Sequence, residues 1–527
     1  MGANAATRRA MLHNALAIGA ACALPGAAWS QVRWNGDPFA LGVASGSPTH
    51  DSVVLWTRLV QNAHTSSALL GPAAITVRWE LAHDAQFQRI VQSGEYAAVP
   101  ELGHSVHVEV TGLESARWYF YRFMVAQATS TVGRTCTLAA PGTPLKRLRL
   151  AYASCQRWEH GYYGAYRHMR DEQVDAVVFL GDYIYEYPGA ANAARHASGG
   201  WVLTLEDYRA RYALHKSDPD LQAMHAACPW LLTWDDHEVQ NDYAGLTPGD
   251  SGPAVANFAQ RRAAAYQAYY ENMPLRASVL THGLQGLATG AEMRIYASVA
   301  VGDLATIYLL DDRQYRDPQA CTKGGRAGSG AVNPAQCAIW DDPQRTLLGS
   351  AQERWLDQSF GASSTPWNVV AQQTLFGQRD FRIGPGRSLS NDGWDGYAPA
   401  RSRLLESLQR HRLANPVILG GDVHANWVGH VKADYDRPES RSLGVEFCGT
   451  SLTSRAGGHD ALAQRLAENP HFVFANSQER GYGVVEITPE RLHTRLRVVD
   501  DVTRADCAIS TLAAFTVQAG RAVLEQG

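Results

Sequence analysis

Six times along the sequence an apolar, β-branched run breaks off into a charged or polar cluster, and this repetition limits what the chain can fold into. The runs end at Ala153, Leu180, Trp234, Leu310, Val370 and Leu419. Val177-Val178-Phe179-Leu180 stops at Gly181-Asp182, and Val417-Ile418-Leu419 stops at Gly420-Gly421-Asp422-Val423-His424. Short apolar runs cut off by glycine read as strands buried on both faces. In α/β sheets ligands collect just beyond the carboxyl ends of such strands. Chance or a buried ion pair accounts for one or two of these endings, and Asp182 alone could be no more than a helix cap. Six in one domain predict a layered α/β sheet with a site along one edge. The two Gly-Asp endings, far apart in sequence, predict two sides of one metal site.

A chain of 527 residues can hold one large α/β domain and a smaller module. With 45% hydrophobic and 19% charged residues it fits a soluble globular protein. The formal charge of −4 and the lack of a basic run exclude a nucleic-acid binder. Thr7-Arg8-Arg9-Ala10-Met11-Leu12, the apolar run from Ala15 to Leu24 and the small residues up to Ser30 form an export signal over 1–30. Its paired arginines are those of a twin-arginine signal, although Met11 stands where an aromatic is common. Export by the twin-arginine machinery passes folded proteins and predicts a periplasmic or extracellular enzyme loaded with metal beforehand. No other segment is long and apolar enough to cross a membrane. Without Cys22 the mature chain keeps seven cysteines, so at least one is free. Cys321 and Cys337, bracketing a Gly-rich loop, are the expected bridge, and Cys155 is the expected free thiol.

From Phe39 to Cys136 short alternating segments such as Ile75–Leu81 and Val106–Val110, and the aromatic Trp118–Phe123, predict a small β-sandwich over 31–143. It carries no cluster of ligand residues and reads as scaffold or lid. After the linker Pro141-Gly142-Thr143-Pro144 a catalytic domain spans 144–527, with its first strand ending at Cys155. Helical spacing runs from Leu205 to Ala227 and from Glu353 to Phe360.

The chemistry gathers at the strand ends: Cys155; Asp182 and Tyr185; Asp236, His237 and Asn241; Asp422 and His424. Thiolate, phenolate, carboxylate and imidazole together suit a trivalent or borderline metal better than magnesium alone. Several carboxylates in one place also imply more than one cation, because clustering them is costly without positive charge between. Asp182 is the natural bridging ligand, and two metals roughly 3.5–4 Å apart could clamp a phosphate ester for in-line attack by a shared hydroxide. Asp235, next to Asp236 in an extended chain, must point elsewhere and is expected behind the ligands or as a cap. Arg313 has the planar fork that suits phosphate, with a purely structural pair to Asp311 or Asp312 as the equal alternative.

Gly181-Asp182-Tyr183-Ile184-Tyr185 resembles the Gly-Asp-x-x-Tyr motif of purple acid phosphatases and of the wider calcineurin-like metallophosphoesterases. Asp236-His237-Glu238 resembles their Gly-Asn-His-Glu motif with Asp in the ligand position, and Gly421-Asp422-Val423-His424 resembles their Gly-His-x-His motif with Asp for the first His. These departures are similar to the PhoD-like alkaline phosphatase and phosphodiesterase branch, and the likeness covers almost the whole mature chain. It implies a metallophosphoesterase-type β-sheet sandwich flanked by helices and preceded by a small all-β, fibronectin-like sandwich. It further implies Fe3+ held by Cys155, Asp182, Tyr185 and His424, beside Ca2+ held by Asp182, Asp236 or Asn241, and Asp422. His237 would protonate the leaving oxygen or stabilise charge on the phosphoryl oxygens. Gln372 stands in place of the superfamily's Val-x-x-His ligand and is expected as a hydrogen-bonder behind the site. The expected activity is hydrolysis of phosphate mono- or diesters. A phospholipase D-type phosphodiesterase shares the motifs, and a non-enzymatic metal-holding or cell-wall-binding protein is the alternative of a different class.

Overall fold

A computed structural model of the chain describes residues 34–527 apart from 63–69, 191, 290, 291, 323–325 and 458. The expected export signal over 1–30 lies outside the described residues. In the unit Gly36–Gly527 the apolar runs form two large sheets lying face to face.

The first sheet is built on the parallel strands Leu148–Ala153, Ala176–Phe179 and Trp230–Leu232. The second is built on Ala305–Leu309, Trp367–Ala371, Pro416–Gly420 and Ser442–Cys448, also parallel. The six strand endings are thus shared three and three between the two sheets. Alternation along each strand sorts its side chains. Val177 and Phe179 face helices, while Val178 and Leu180 face the second sheet and meet Ile307, Val369 and Leu419 in a common core. Each fully buried Val or Leu in that core stabilises the fold by about 1.5–3 kcal/mol. Helices Gly164–Asp171, Leu205–Lys216, Pro219–His225 and Phe258–Asn272 cover the outer face of the first sheet. Helices Gly349–Ala362 and Ala398–Arg410 cover the second, packing Leu356, Phe360, Leu404 and Leu408 on Tyr308, Val370 and Ile418. The architecture is the layered α/β sandwich that the sequence predicts.

Where the sequence suggests one helix over 205–227, the structure has two. Thr204 and Asp207 form a capping box at the start of the first. The second begins at Asp218, whose Oδ1 accepts from the amides of Asp220 and Leu221, with Pro219 at its first position. Proline has no amide to continue the preceding helix, so the chain restarts there.

In the first hundred described residues Ile75–Ala82, Ile90–Ala98, Trp118–Val125, Ala128–Thr129 and Gly133–Cys136 form a five-stranded antiparallel sheet. Val43–Gly46, Ser52–Arg58 and Ser105–Thr111 instead extend the first large sheet, joining it where Gly46 pairs with Trp230. At the opposite edge Arg480–Ile487, Arg491–Val499 and Ile509–Gln518 add antiparallel strands. Cys321 and Cys337 are disulfide-bonded with Cα atoms 6.0 Å apart, and Cys136, Cys155, Cys228, Cys448 and Cys507 are buried free thiols. Among the described residues no helix is long and apolar enough to cross a membrane.

The sheets' ends meet tightly. A Cβ at Gly421 would stand 2.3 Å from Ser154 Oγ, and one at Gly181 would stand 2.5 Å from both Cβ and N of Asp235. Gly181 also has φ of 105°, which an L side chain rarely adopts. Gly181→Ala is expected to cost about 3 kcal/mol from overpacking and strain together. Chemical denaturation of the purified variant measures this, and an unchanged midpoint would show that the strand ends are not locked.

Candidate metal centre

Four of the residues expected at the site have left-handed backbone: Cys155 (φ 59°), Asp182 (φ 58°), Asp422 (φ 64°) and His424 (φ 54°). Such angles are uncommon outside glycine and persist only where the surroundings enforce them. Here the enforcement is hydrogen bonding. Cys155 N–H donates to the Gly181 carbonyl (3.1 Å) and Gln156 N–H to that of Asp182 (3.1 Å), so the first two strand ends curl round each other. Glu238 adds the third: its carboxylate accepts from the amides of Asp182 (3.2 Å), Tyr183 (2.6 Å) and Asp235 (2.9 Å). Burial raises this carboxyl to about 7, against the pull of the three amides. From the second sheet, Gly421 N–H reaches the Gln373 carbonyl (2.9 Å), and Gln373 Nε2 bridges to Thr233 Oγ1 (2.5 Å) across the sandwich.

The turns deliver two groups of metal-ligand atoms, each group lying within 4.8 Å of one another: Cys155, Asp182 and His424, and Asp182, Asp236 and His237. Asp182 belongs to both. Its Oδ2 accepts from the Tyr185 hydroxyl at 2.8 Å, while Oδ1 is buried with no hydrogen-bond partner. Asp236 Oδ2 accepts from the Asp242 amide at 2.6 Å and its Oδ1 is likewise buried without a partner. The Tyr185 hydroxyl lies 2.7 Å from Ser454 Oγ and 3.3 Å from His424 Nε2, which places it within the first group. Its carbonyl accepts from Arg211. Asp422 accepts from Thr374 Oγ1 at 2.6 Å. Asn241 enters through its backbone, donating its N–H to Glu186 at 2.8 Å.

Hydrogen bonds also fix both histidines. His424 Nδ1 lies 2.9 Å from the Arg455 carbonyl, which only accepts, so Nδ1 carries the proton and the Nε2 lone pair faces the cluster. Desolvation brings His424 down to about 4, keeping it neutral. His237 Nδ1 lies 2.7 Å from Glu186 Oε2. Burial opposes charge on His237, but Glu186, Asp182 and Asp236 outweigh it and hold its pKa well above the usual range. Its ring packs on Tyr185 at 4.1 Å between centroids.

Arg313 is completely buried, and its fork is occupied by carboxylates. Nε lies 2.5 Å from Asp235, both terminal nitrogens lie 3.0 Å from Asp392, and Asp236 is 3.6 Å away. Neither Asp311 nor Asp312 is its main partner, and Asp235 points away from the ligand groups towards this guanidinium. Asp392 also takes Arg316 at 2.9 Å and Gln319 at 2.6 Å, and these partners hold it far below the usual carboxylate range despite its burial. Asp312, buried with both oxygens free of hydrogen bonds, is raised by burial to about 7. The Gln372 side chain is consumed by Thr374, Leu419 and the Trp394 indole.

The donor set fits cations. Asp235, Asp236 and Asp392 pair with Arg313, Asp182 and Asp422 ion-pair with no guanidinium among the described residues, and burial with the repulsion of neighbouring carboxyls outweighs His237 and pushes Asp182 well above its usual pKa. Two aligned, unpartnered carboxylate oxygens beside a thiol and an oriented imidazole are the arrangement that positive ions complete. Glu186, Glu238, Asp392, Ser454 and Gln373 do the orienting; Glu238 stands in the Asp236-His237-Glu238 motif, whereas Glu186, Ser454 and Gln373 carry no sequence signal of their own.

The sequence and the fold match known proteins. The PhoD-like phosphatase family model matches residues 150–496, and the PhoD-like phosphatase N-terminal domain model matches residues 25–139. Alkaline phosphatase D of Bacillus subtilis (strain 168) is 45% identical over 490 residues, 91% of this chain and 81% of that protein. A solved structure of PhoD superposes with a TM-score of 0.87 at 43% identity, covering 94% of this chain and 93% of that one. With both halves matched in order and the fold shared end to end, the chain belongs to the PhoD-like phosphatases, enzymes that hydrolyse phosphoric esters.

Proposed function

We infer that this phosphatase works with two kinds of metal ion in the strand-end cluster, and that the segment 144–527 carries the chemistry on a scaffold supplied by 31–143. The observation that supports this best is Asp182, shared by both ligand groups with one buried oxygen left over. Cys155, Asp182, Tyr185 and His424 would hold Fe3+; Asp182, Asp236 or Asn241, and Asp422 would hold Ca2+. Thiolate and phenolate favour the first ion and all-oxygen ligation the second. When bound, the ions supply Lewis acidity at the phosphoryl oxygens and an activated nucleophile.

The chain's own residues do the rest. Glu186 fixes the His237 ring and favours its protonated form, so Nε2 can give a proton to the departing alcohol oxygen. Arg313 acts through Asp235 and Asp392: it holds the loops that carry Asp236 and is a positioning residue, not a phosphate fork. Both mono- and diesters suit this arrangement. The cavity beside Asp422 is lined by Arg379 and Arg465, which suits an anionic substrate. The twin-arginine segment at Arg8-Arg9 would export the folded, loaded enzyme to the periplasm or beyond.

Protein purified from the exported fraction should contain iron and calcium, show a phenolate-to-iron absorption band, and cleave bis-p-nitrophenyl phosphate, p-nitrophenyl phosphate or both. Tyr185→Phe should lose the band. Colourless protein that cleaves neither ester after iron and calcium are restored would sink this reading. His237→Ala should keep both metals, by elemental analysis, while kcat drops about 10²–10⁴-fold. Loss of a metal together with activity would make His237 a ligand instead. Arg8→Lys combined with Arg9→Lys should leave the precursor in the cytoplasm, as cell fractionation reads; normal export would remove the twin-arginine route.

A further inference from the structure

A cavity of about 460 Å³ opens beside the proposed metal ligands, and its lining includes Asp422, Val423, Trp394, Arg379, Phe381 and Arg465. The two arginines are unlike the others around the site. Arg313 and Arg316 are bound to Asp392, and Arg401 is bound to Asp395 at 2.6 Å. Among the described residues, the Arg379 and Arg465 guanidiniums have neither an ion-pair partner nor a hydrogen bond, and the Nε of each is buried without a partner. Both lie over the same ring, with Cζ 4.7 Å and 5.6 Å from the Phe381 centroid.

Holding two like charges on one ring without a counter-ion is unfavourable. Burial works against the charge on Arg379 first, the more distant Asp395 and Asp422 offset part of this, and Arg465 adds to the burial effect. The arrangement is nevertheless pinned. The Arg379 N–H donates to Asp395 Oδ2 at 2.9 Å, the Asp380 N–H donates to Asn469 Oδ1 at 2.8 Å, and His471 Nε2 meets the Gln378 carbonyl at 2.7 Å. These bonds tie the loop bearing Arg379 to the segment that follows the helix Leu462–Glu468, which bears Arg465. A paired, stacked, pre-positioned set of guanidiniums is the arrangement that recognises phosphate or carboxylate.

We propose that Arg379 and Arg465 form a subsite for a second anionic group, a phosphate or a carboxylate, on the organic part of the ester, so that the enzyme prefers doubly charged phosphoric esters. An ester with its phosphorus at the metal-ligand cluster would run along the cavity past Asp422, place its organic part against Trp394 and Phe381, and set its second anion between the two arginines. This rests on the hydrolase reading above. It places substrate selection in residues separate from the proposed metal ligands.

The test compares thymidine 5′-(p-nitrophenyl phosphate) with the same ester bearing a 3′-phosphate, using metal-loaded full-length mature protein. The wild type should favour the 3′-phosphorylated ester in kcat/KM by about tenfold, equivalent to about 1.4 kcal/mol. In the Arg379→Gln, Arg465→Gln double variant the ratio should fall towards one, and in the corresponding double lysine variant part of it should survive. A ratio near one in the active wild type, or a ratio untouched by the double glutamine change, overturns the proposal. Calorimetric titration of the metal-loaded His237→Ala protein, with and without the double glutamine change, using thymidine 3′,5′-bisphosphate and thymidine 5′-phosphate reads the same preference with turnover suppressed. Tighter binding of the bisphosphate that the glutamine variant loses, with neither ester cleaved, would support the subsite while removing the hydrolase reading. Equal binding of the two nucleotides would remove the subsite itself.

Discussion

Glu238 binds the amides of Asp182, Tyr183 and Asp235 with one buried carboxylate, and the rest of the centre depends on that join. It joins the ends of the second and third parallel strands, where Asp182 takes its left-handed turn and Asp235 leads into Asp236. The turn at Asp182 projects a candidate ligand inward at an angle that a regular strand end would not give. Charged hydrogen bonds to a buried carboxylate are among the stronger ones in proteins, at about 1.5–3 kcal/mol each. They offset the strain of Asp182 at positive φ, while Cys155 is held in its turn by the bond from its N–H to the Gly181 carbonyl. Gly181 and Gly421 complete the join by leaving no Cβ where the strand ends press together.

The second constraint is charge. Asp235, Asp236, Asp312 and Asp392 share the guanidiniums of Arg313 and Arg316, Asp182 and Asp422 ion-pair with neither, and several of these oxygens stay unpartnered in the interior. A fold does not keep unpaired buried carboxylates for stability, since each costs far more than a hydrogen bond returns. The excess is what makes the centre a receptor for cations. It also explains why Arg313 cannot at the same time serve as a free clamp for phosphate. The same argument, with the sign reversed, applies to Arg379 and Arg465 across the cavity.

The site and the fold share one origin. Strands buried on both faces must be apolar along their length, so polar residues are confined to their ends, and stacking two such sheets brings six ends to one place. The helices, the five-stranded sheet and the antiparallel edge strands cover surfaces and do not enter the ligand groups. In some of these regions the sequence is legible only with the structure in view. Arg491–Val499 alternates Leu492, Thr494 and Leu496 inward, and Ile90–Ala98 is half exposed with a weak alternation that hides it.

By itself the sequence determined the buried strands, the clusters at their ends, the Cys321–Cys337 pair and the motif residues around Asp182, Asp236 and Asp422, because periodicity, glycine punctuation and local spacing are properties of the chain read in order. The tertiary structure alone decided which atoms meet. It turned Asp235 to Arg313 and set Glu186 behind His237 across 51 residues of chain. It also left the Arg379 and Arg465 guanidiniums beside Asp422 with no ion-pair or hydrogen-bond partner among the described residues. Pairings of this kind depend on the packing of two sheets against each other, and no pattern within one segment encodes the distance between two that are remote in sequence.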